Sequence, residues 1–280
     1  MNIVESVAEL HSCLAPLRTS KRIALVPTMG CLHEGHLSLI RKARELADVV
    51  VVSVYVNPLQ FGPSEDLDQY PRPFEKDAKM CEREGVDFLF HPENLYPQDG
   101  IKVSLTVDEL ADCLCGASRP GHFDGVATVV NILFNIVRPD IAIFGEKDWQ
   151  QLAILRRMVS DLAMPVELVA CPTVREADGF AMSSRNRYLS AEERHKANKL
   201  ADALRVIQRS VGAGNRQVAL LTTMARDGLA KHGIEPEYLD IRDAETLRDL
   251  DEISGAPARA FIAAPIGKAR LIDNISLETS

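Results

Sequence analysis

The stretch that most constrains this chain is Val26-Pro27-Thr28-Met29-Gly30-Cys31-Leu32-His33-Glu34-Gly35-His36-Leu37. The apolar run before it, residues 23–26, reads as a short buried strand. Leu37, Leu39, Ile40 and Ala43 then open a helical stripe, with Arg41, Lys42 and Arg44 on the other side. The unit is therefore strand, tight glycine turn and helix start. Gly30 and Gly35 carry no Cβ and let backbone approach a ligand closely. A helix N-terminus offers free N–H groups and a partial positive charge, which suits a phosphate. His33 and His36, three positions apart, can aim their ring nitrogens at one place. Together these features read as an anion-handling site able to donate protons or hydrogen bonds to a reacting phosphate. Two other readings stay open at this point. The two imidazoles could chelate a metal, although zinc usually takes a third protein ligand and the His-Glu-x-x-His spacing is absent. They could also be structural, with nothing bound.

A chain of 280 residues exceeds what one core usually serves, so one large or two ordinary domains are expected. No run of eighteen apolar residues occurs, and the start of the sequence lacks a basic n-region and an apolar h-region. Neither a membrane span nor a signal peptide is expected. The cysteines, at positions 13, 31, 81, 113, 115 and 171, form no CxxC pair and no zinc spacing, which fits reduced thiols in a cytoplasmic protein. A net charge of −8 argues against nucleic acid as a partner. An anionic ligand must then be captured by a local cluster of donors and not by the field of the whole protein.

Along the chain, strands alternate with helices. Residues 49–56 form a near-continuous β-branched run of the kind buried on both faces of a parallel sheet. A polar loop follows Asn57-Pro58-Leu59-Gln60-Phe61-Gly62. Residues 73–84 read as a helix closed by Gly85, and 87–90 as a strand. A strand and a short helix are expected within 101–114, and a loop over 115–121. An apolar helical stripe runs from Val126 to Val137, followed by a strand at 141–144, a helix at 149–162 and a strand at 166–170. The alternation implies a parallel sheet wound on both faces. Beyond Arg175 the texture changes to a polar junction. Ser190 and Glu193 then form a capping box opening a helix, a second helix covers about 216–231, and strands are expected at 238–241, 260–264 and 269–272. This reads as a smaller α/β domain.

In open α/β sheets, ligands bind beyond the carboxyl ends of the strands. The segments there are residues 29–36, Asn57 with Gln60, residues 145–148, and Thr173-Val174. They supply an anion-binding helix start, two amides, a Lys-Asp pair and exposed backbone, which together suit a nucleotide and a small polar acid. Each has a plainer reading. Asn57 before Pro58 is an ordinary turn residue, Gln60 and Gln151 could be solvated, and Lys147 with Asp148 could be a surface ion pair. Ser183-Ser184-Arg185 could be linker. The functional reading gains weight because these segments are expected to meet in one cleft.

Seven segments carry a resemblance in chain order: Pro27-Thr28-Met29-Gly30, Leu32-His33-Glu34-Gly35-His36, Asn57-Pro58-Leu59-Gln60-Phe61, Gly121-His122-Phe123-Asp124-Gly125, Gly145-Glu146-Lys147-Asp148 with Gln150-Gln151, Met182-Ser183-Ser184-Arg185-Asn186, and Arg270-Leu271-Ile272-Asp273-Asn274. From about residue 20 to 275 the chain resembles the pantoate–β-alanine ligases, nucleotidyltransferases with a His-x-Gly-His signature. Trp149 stands where that pattern has tyrosine, and Cys31 where it has alanine.

The resemblance implies an α/β fold: a Rossmann-like doubly wound parallel sheet domain at 1–174, binding nucleotide and pantoate, and a second, smaller α/β domain at 175–280 that closes over the site. It implies ATP-dependent condensation of (R)-pantoate with β-alanine through a pantoyl adenylate, releasing AMP and diphosphate, with Mg²⁺ assisting. His33 and His36 would meet the α-phosphate region, with His36 as proton donor. Lys147, Met182, Ser183, Ser184 and Arg185 would hold the phosphates, and Gly145, Glu146 and Asp148 the ribose side. Backbone at Met29, Gly30, Gly35 and Val174 would frame the nucleotide. Pro27, Met29, Gln60 and Gln151 would hold pantoate, Val129 and Val130 would form an apolar wall for its methyl groups, and Asn57 with Gln60 would serve β-alanine. Residues 62–70 would form a lid that keeps water from the acyl adenylate. A cytoplasmic homodimer is implied by the same analogy. Two other functions stay open: a different nucleotidyltransferase acting on a phosphorylated acceptor, and a nucleotide-sensing protein without turnover.

Overall fold

The strand Val49–Val54 is buried at every residue, which requires helices on both faces of its sheet. The computed structural model describes residues 1–63, 65 and 67–277. Ser64 and Asp66, within the segment expected to act as a lid, lie outside the described residues.

In chain order the elements are β1 (Asn2–Val4), α1 (Val7–Leu14), β2 (Ile23–Thr28), α2 (Glu34–Leu46), β3 (Val49–Val54), α3 (Phe74–Arg83) and β4 (Phe88–Phe90). Next come α4 (Leu114–Ser118), α5 (His122–Val137), β5 (Ile141–Gly145), α6 (Trp149–Asp161) and β6 (Glu167–Cys171). The chain ends with α7 (Ala191–Gly212), α8 (Val218–Ala230), β7 (Tyr238–Asp243), β8 (Ala258–Ile266) and β9 (Ala269–Leu277). Short 3₁₀ turns occupy Pro58–Gln60, Glu146–Asp148 and Ser184–Tyr188. Two compact units emerge. The first comprises Met1–Asp112, Gly116–Glu146 and Ile154–Pro172; the second comprises Cys113–Cys115, Lys147–Ala153 and the chain from Thr173 onward.

The first unit is built on a parallel sheet of order β1-β4-β3-β2-β5-β6. From β2 the chain steps outward through β3 to β4, then returns to the other side of β2 for β5 and β6. The winding therefore reverses between β2 and β5. At such a reversal, the loops leaving the two strands diverge and open a crevice at their carboxyl ends. Residues 29–33 leave β2 there, and Glu146 follows β5. Helix α2 lies over the two strands through Leu37, Leu39, Ile40 and Ala43, which pack with Ala24, Val26, Ile141 and Ile143. Burial of this stripe fixes the direction of α2, and hence where its N-terminus points.

In the second unit, β7, β8 and β9 form an antiparallel sheet. Its apolar face, with Ile241, Ala260, Ile262 and Leu271, packs against Leu200, Leu204 and Ile207 of α7 and Leu221 of α8. Ser190 and Glu193 form the capping box that starts α7, as their spacing predicts.

Two sequence expectations are corrected. No strand forms within 101–113, because its amides turn to side chains instead of a neighbouring strand: Leu105 N donates to Thr128 Oγ1 (3.0 Å) and Val107 N to Asp124 Oδ1 (2.8 Å). The loop expected over 115–121 begins as α4, where Cys115 N is satisfied by Gln150 Oε1 at 2.9 Å.

Candidate functional site

Thr28 Oγ1 donates to Ser53 O (2.8 Å) and accepts from Gly30 N (3.1 Å), so the turn starts from a fixed point on the sheet. Gly30 and Cys31 both take left-handed conformations, with φ of 83° and 54°. For the non-glycine residue this costs roughly 1–2 kcal/mol. The cost is offset from α3. Asp77, buried at 1 % exposure, accepts from Cys31 N at 2.6 Å and from Leu32 N at 2.9 Å. Both carboxylate oxygens are used, and hydrogen bonds to a charged group are worth about 1.5–3 kcal/mol each. One turn along α3, burial and then the Asp77 charge push the Cys81 thiol up to about 12.

The turn delivers His33 to the N-cap of α2. Its Nδ1 accepts from Gly35 N at 3.1 Å, while His33 N donates to His36 Nδ1 at 3.3 Å. This is a capping box made of two imidazoles. Each Nδ1 is an acceptor, so in the neutral ring the hydrogen sits on Nε2. Both rings are thereby set as Nε2–H donors at a positive helix end. Their centroids are 4.2 Å apart, and both are half-buried. A Cβ at Gly35 would stand 2.9 Å from His33 Nδ1 and 2.8 Å from Cε1, so only glycine lets the His33 ring lie against the first turn.

Beyond β3, Asn57 caps the Pro58–Gln60 turn. It is 1 % exposed, and its amide is fully engaged inside the protein. Oδ1 accepts from Leu59 N (3.2 Å) and Tyr96 Oη (2.5 Å); Nδ2 donates to Gly125 O (3.0 Å) and Gln60 Oε1 (3.1 Å). Burial, with a contribution from Tyr55, holds the Tyr96 phenol above its ordinary value and so keeps it a donor. Gln60 Nε2 in turn reaches Met29 Sδ at 3.0 Å. The Gln60 carbonyl accepts from His122 Nδ1 (2.7 Å) and Arg119 Nη2 (3.2 Å), and Arg119 is itself paired to Glu65. A Cβ at Gly125 would lie 2.2 Å from Leu59 O, so α5 can pack on this turn only through a glycine. Met29, Asn57 and Gln60 are thus brought together. Val129 and Val130 are buried on α5, Pro27 pairs with Ser53 in the sheet, Gly145 ends β5 and Glu146 opens the 3₁₀ turn after it.

The remaining residues singled out by the sequence belong to the second unit, except Gly145 and Glu146. Lys147 Nζ lies 3.9 Å from Asp148 Oδ1, a loose pair, with Gln151 further along on α6. The Val174 carbonyl accepts from Met182 N at 3.0 Å, Ser183 caps the turn Ser184–Tyr188 by accepting from Arg185 N at 3.3 Å, and Arg185 lies in that turn. Among the described residues, no three His, Cys, Asp or Glu side chains cluster closely enough to hold a metal ion. The sequence does not single out Asp77, Tyr96 or Arg119. Asp77 sits among charged residues at the start of an amphipathic helix, and Tyr96 in a Pro/Asn/Gly loop, where nothing local marks either.

A parallel sheet whose winding reverses beside a glycine turn and a histidine-capped helix start defines a Rossmann-like α/β protein of the nucleotide-handling class. Comparison with known proteins is more specific. Residues 2–276 match the family model described as pantoate-beta-alanine ligase. The chain is 51 % identical over 278 residues to a pantothenate synthetase of Syntrophotalea carbinolica, covering 98 % of each protein. It is 49 % identical to pantothenate synthetase 1 of Bradyrhizobium diazoefficiens, covering 100 % of this chain and 99 % of the relative. Among solved structures, a Thermus thermophilus pantothenate synthetase superposes with a TM-score of 0.94 at 46 % identity and full coverage of both chains. A Francisella tularensis pantoate-beta-alanine ligase complexed with beta-gamma ATP and β-alanine gives 0.83 at 36 % identity, covering 100 % of this chain and 99 % of the other. The chain belongs to the pantoate–β-alanine ligase family.

Asp77→Asn tests the turn's anchor. The substitution keeps the shape but presents an amide donor to one of two backbone N–H groups. Stability should fall by about 2 kcal/mol or more in urea unfolding, and the Cys31 and Leu32 amides should lose protection from hydrogen exchange. Unchanged protection at both amides would remove Asp77 from this role.

Proposed function

We propose that the protein joins (R)-pantoate to β-alanine at the expense of ATP, through a pantoyl adenylate. A pantoate carboxylate oxygen attacks the α-phosphorus, the bond to the bridging oxygen breaks, and diphosphate leaves. The β-alanine amine then attacks the acyl carbon, AMP departs, and the amine proton is lost to give pantothenate. Neither step needs a covalent bond to the protein. Both need charge neutralisation and alignment.

The observation that carries the chemistry is the imidazole capping box. Two Nε2–H donors at the positive end of α2, beside the reversal of the sheet, suit the oxygens of the α-phosphate and the bridging oxygen that gains charge as diphosphate leaves. His36 is assigned as the proton donor. Gly30 and Gly35 let backbone come close, and Met29 and Val174 frame the nucleotide. Gly145, Glu146 and Asp148 serve the ribose side; Lys147, Met182, Ser183, Ser184 and Arg185 serve the phosphates. Gln60, Gln151, Pro27 and Met29 serve pantoate, with Val129 and Val130 as apolar wall. The amide of Asn57 is engaged inside the protein, so its service to β-alanine is assigned as orienting Gln60. Mg²⁺ is read as accompanying the ATP phosphates, its usual mode of binding.

Among the described residues no helix is long and apolar enough to cross a membrane. A cytoplasmic homodimer is the working form we infer by family analogy; a single-subunit mass in light scattering would contradict the dimer.

Diphosphate release separates this reading from others. It should require pantoate together with ATP. Dependence on a phosphorylated acceptor would indicate another nucleotidyltransferase, and ATP binding without release would indicate a sensor. In the active protein, His36→Ala should lower adenylation by about 100-fold or more while leaving the circular dichroism unchanged. Wild-type turnover in that variant would exclude His36 from the mechanism.

A further inference from the structure

The segment Arg270-Leu271-Ile272-Asp273-Asn274 has no role in the reading above, yet it carries two of the most buried polar side chains of the second unit. Asp273 is 4 % exposed and Asn274 3 %. Asn274 Nδ2 donates to the carbonyl of Lys147 at 2.8 Å. Its Oδ1 accepts from Arg259 Nη1, and the Arg259 guanidinium lies 3.5 Å over the Trp149 ring. Trp149 Nε1 is tied in turn to Ala244 O at 2.7 Å. The backbone around Lys147 is therefore held at a carbonyl and, two residues on, at a side chain, by a chain of bonds that begins at Asn274.

Asp273 does the same for a second segment. Arg175 grips its carboxylate with two parallel bonds, Nη1 to Oδ2 at 2.7 Å and Nη2 to Oδ1 at 2.9 Å. The same guanidinium donates to Asn274 O (3.1 Å) and Gly179 O (3.1 Å). Arg175 faces Ala181 in a short antiparallel bridge, with Glu176 N bonded to Phe180 O and Met182 N to Val174 O. This small hairpin runs directly into Ser183-Ser184-Arg185.

We infer that Asp273 and Asn274 are positioning residues for adenylation: one buried dipeptide on β9 fixes both the Lys147 turn and the hairpin that presents Ser183, Ser184 and Arg185. The inference rests on the reading that these four residues hold ATP phosphates. Planar fork-to-carboxylate pairing and a buried amide–carbonyl bond are directional, so they define where the two backbones stand and not merely that they are near. A reacting group misplaced by about 1 Å can cost about 100-fold in rate.

Two measurements on Asn274→Asp and Asp273→Asn test it. The first is deuterium uptake by residues 146–153 and 174–185. Both substitutions should speed it, with Asn274→Asp acting mainly on the first segment and Asp273→Asn on the second. Faster uptake confined to β9 itself would overturn the anchor. The second is pantoate-dependent ATP–diphosphate exchange. Its kcat should fall about 100-fold while the KM for ATP changes less than about threefold and the KM for β-alanine in full ligation holds. Exchange within threefold of the parent protein, or losses that merely track the folded fraction, would refute the positioning role. Should Asn274→Asp fail to fold, Asn274→Ser removes the amide without adding charge. A parent protein that shows no pantoate-dependent exchange would refute the ligase reading, while the deuterium measurement still decides the anchor.

Discussion

The site depends on hydrogen bonds from backbone N–H groups to imidazole Nδ1 atoms at the start of α2. A helix N-terminus leaves its first amides without partners, and serine, threonine or aspartate usually supplies the acceptor. Here His33 takes that place and His36 completes the box. The exchange has a chemical consequence. A capping hydroxyl would satisfy the helix and stop there, whereas a capping imidazole satisfies it with one nitrogen and is left with an N–H on the other. Capping and tautomer choice are thus one event, and each ring becomes an oriented donor.

In each unit, buried polar groups hold distant segments of the chain in place. Asp77 grips two amides of a turn with consecutive left-handed residues. Asn57, itself fixed by Tyr96, Leu59 and Gly125, orients Gln60. In the second unit Asp273 and Asn274 act on the carbonyls and guanidinium of distant segments. In each case a buried polar group is fully used, as burial demands. A reaction that needs alignment of charged reactants more than covalent help is well served by such rigidity.

Much of this was legible in the sequence, and what was legible is local. The β-branched run at 49–54 announced a strand buried on both faces, the stripe of α2 its packing, Ser190 and Glu193 the start of α7, and the glycine turn with two histidines the centre of the site. The partners that hold the glycine turn, and within the second unit those that hold the Lys147 segment, were not legible, because they come from far along the chain. Asp77 is 46 positions from Cys31, and Asn274 is 127 from Lys147. An aspartate on an amphipathic helix looks solvated until the fold places backbone amides over it. The failed strand within 101–113 has the same origin: backbone amides satisfied by Thr128 and Asp124 have no sequence signature distinct from a strand edge.

Nitrogen-15 NMR of protein labelled at histidine tests the central claim most directly. The ring nitrogens of His33 and His36, assigned by single substitutions, should show in the neutral state an unprotonated Nδ1 and a protonated Nε2 for both rings. A protonated Nδ1 on either neutral ring would mean that it does not accept the backbone N–H, and the capping box would not be the source of the donors.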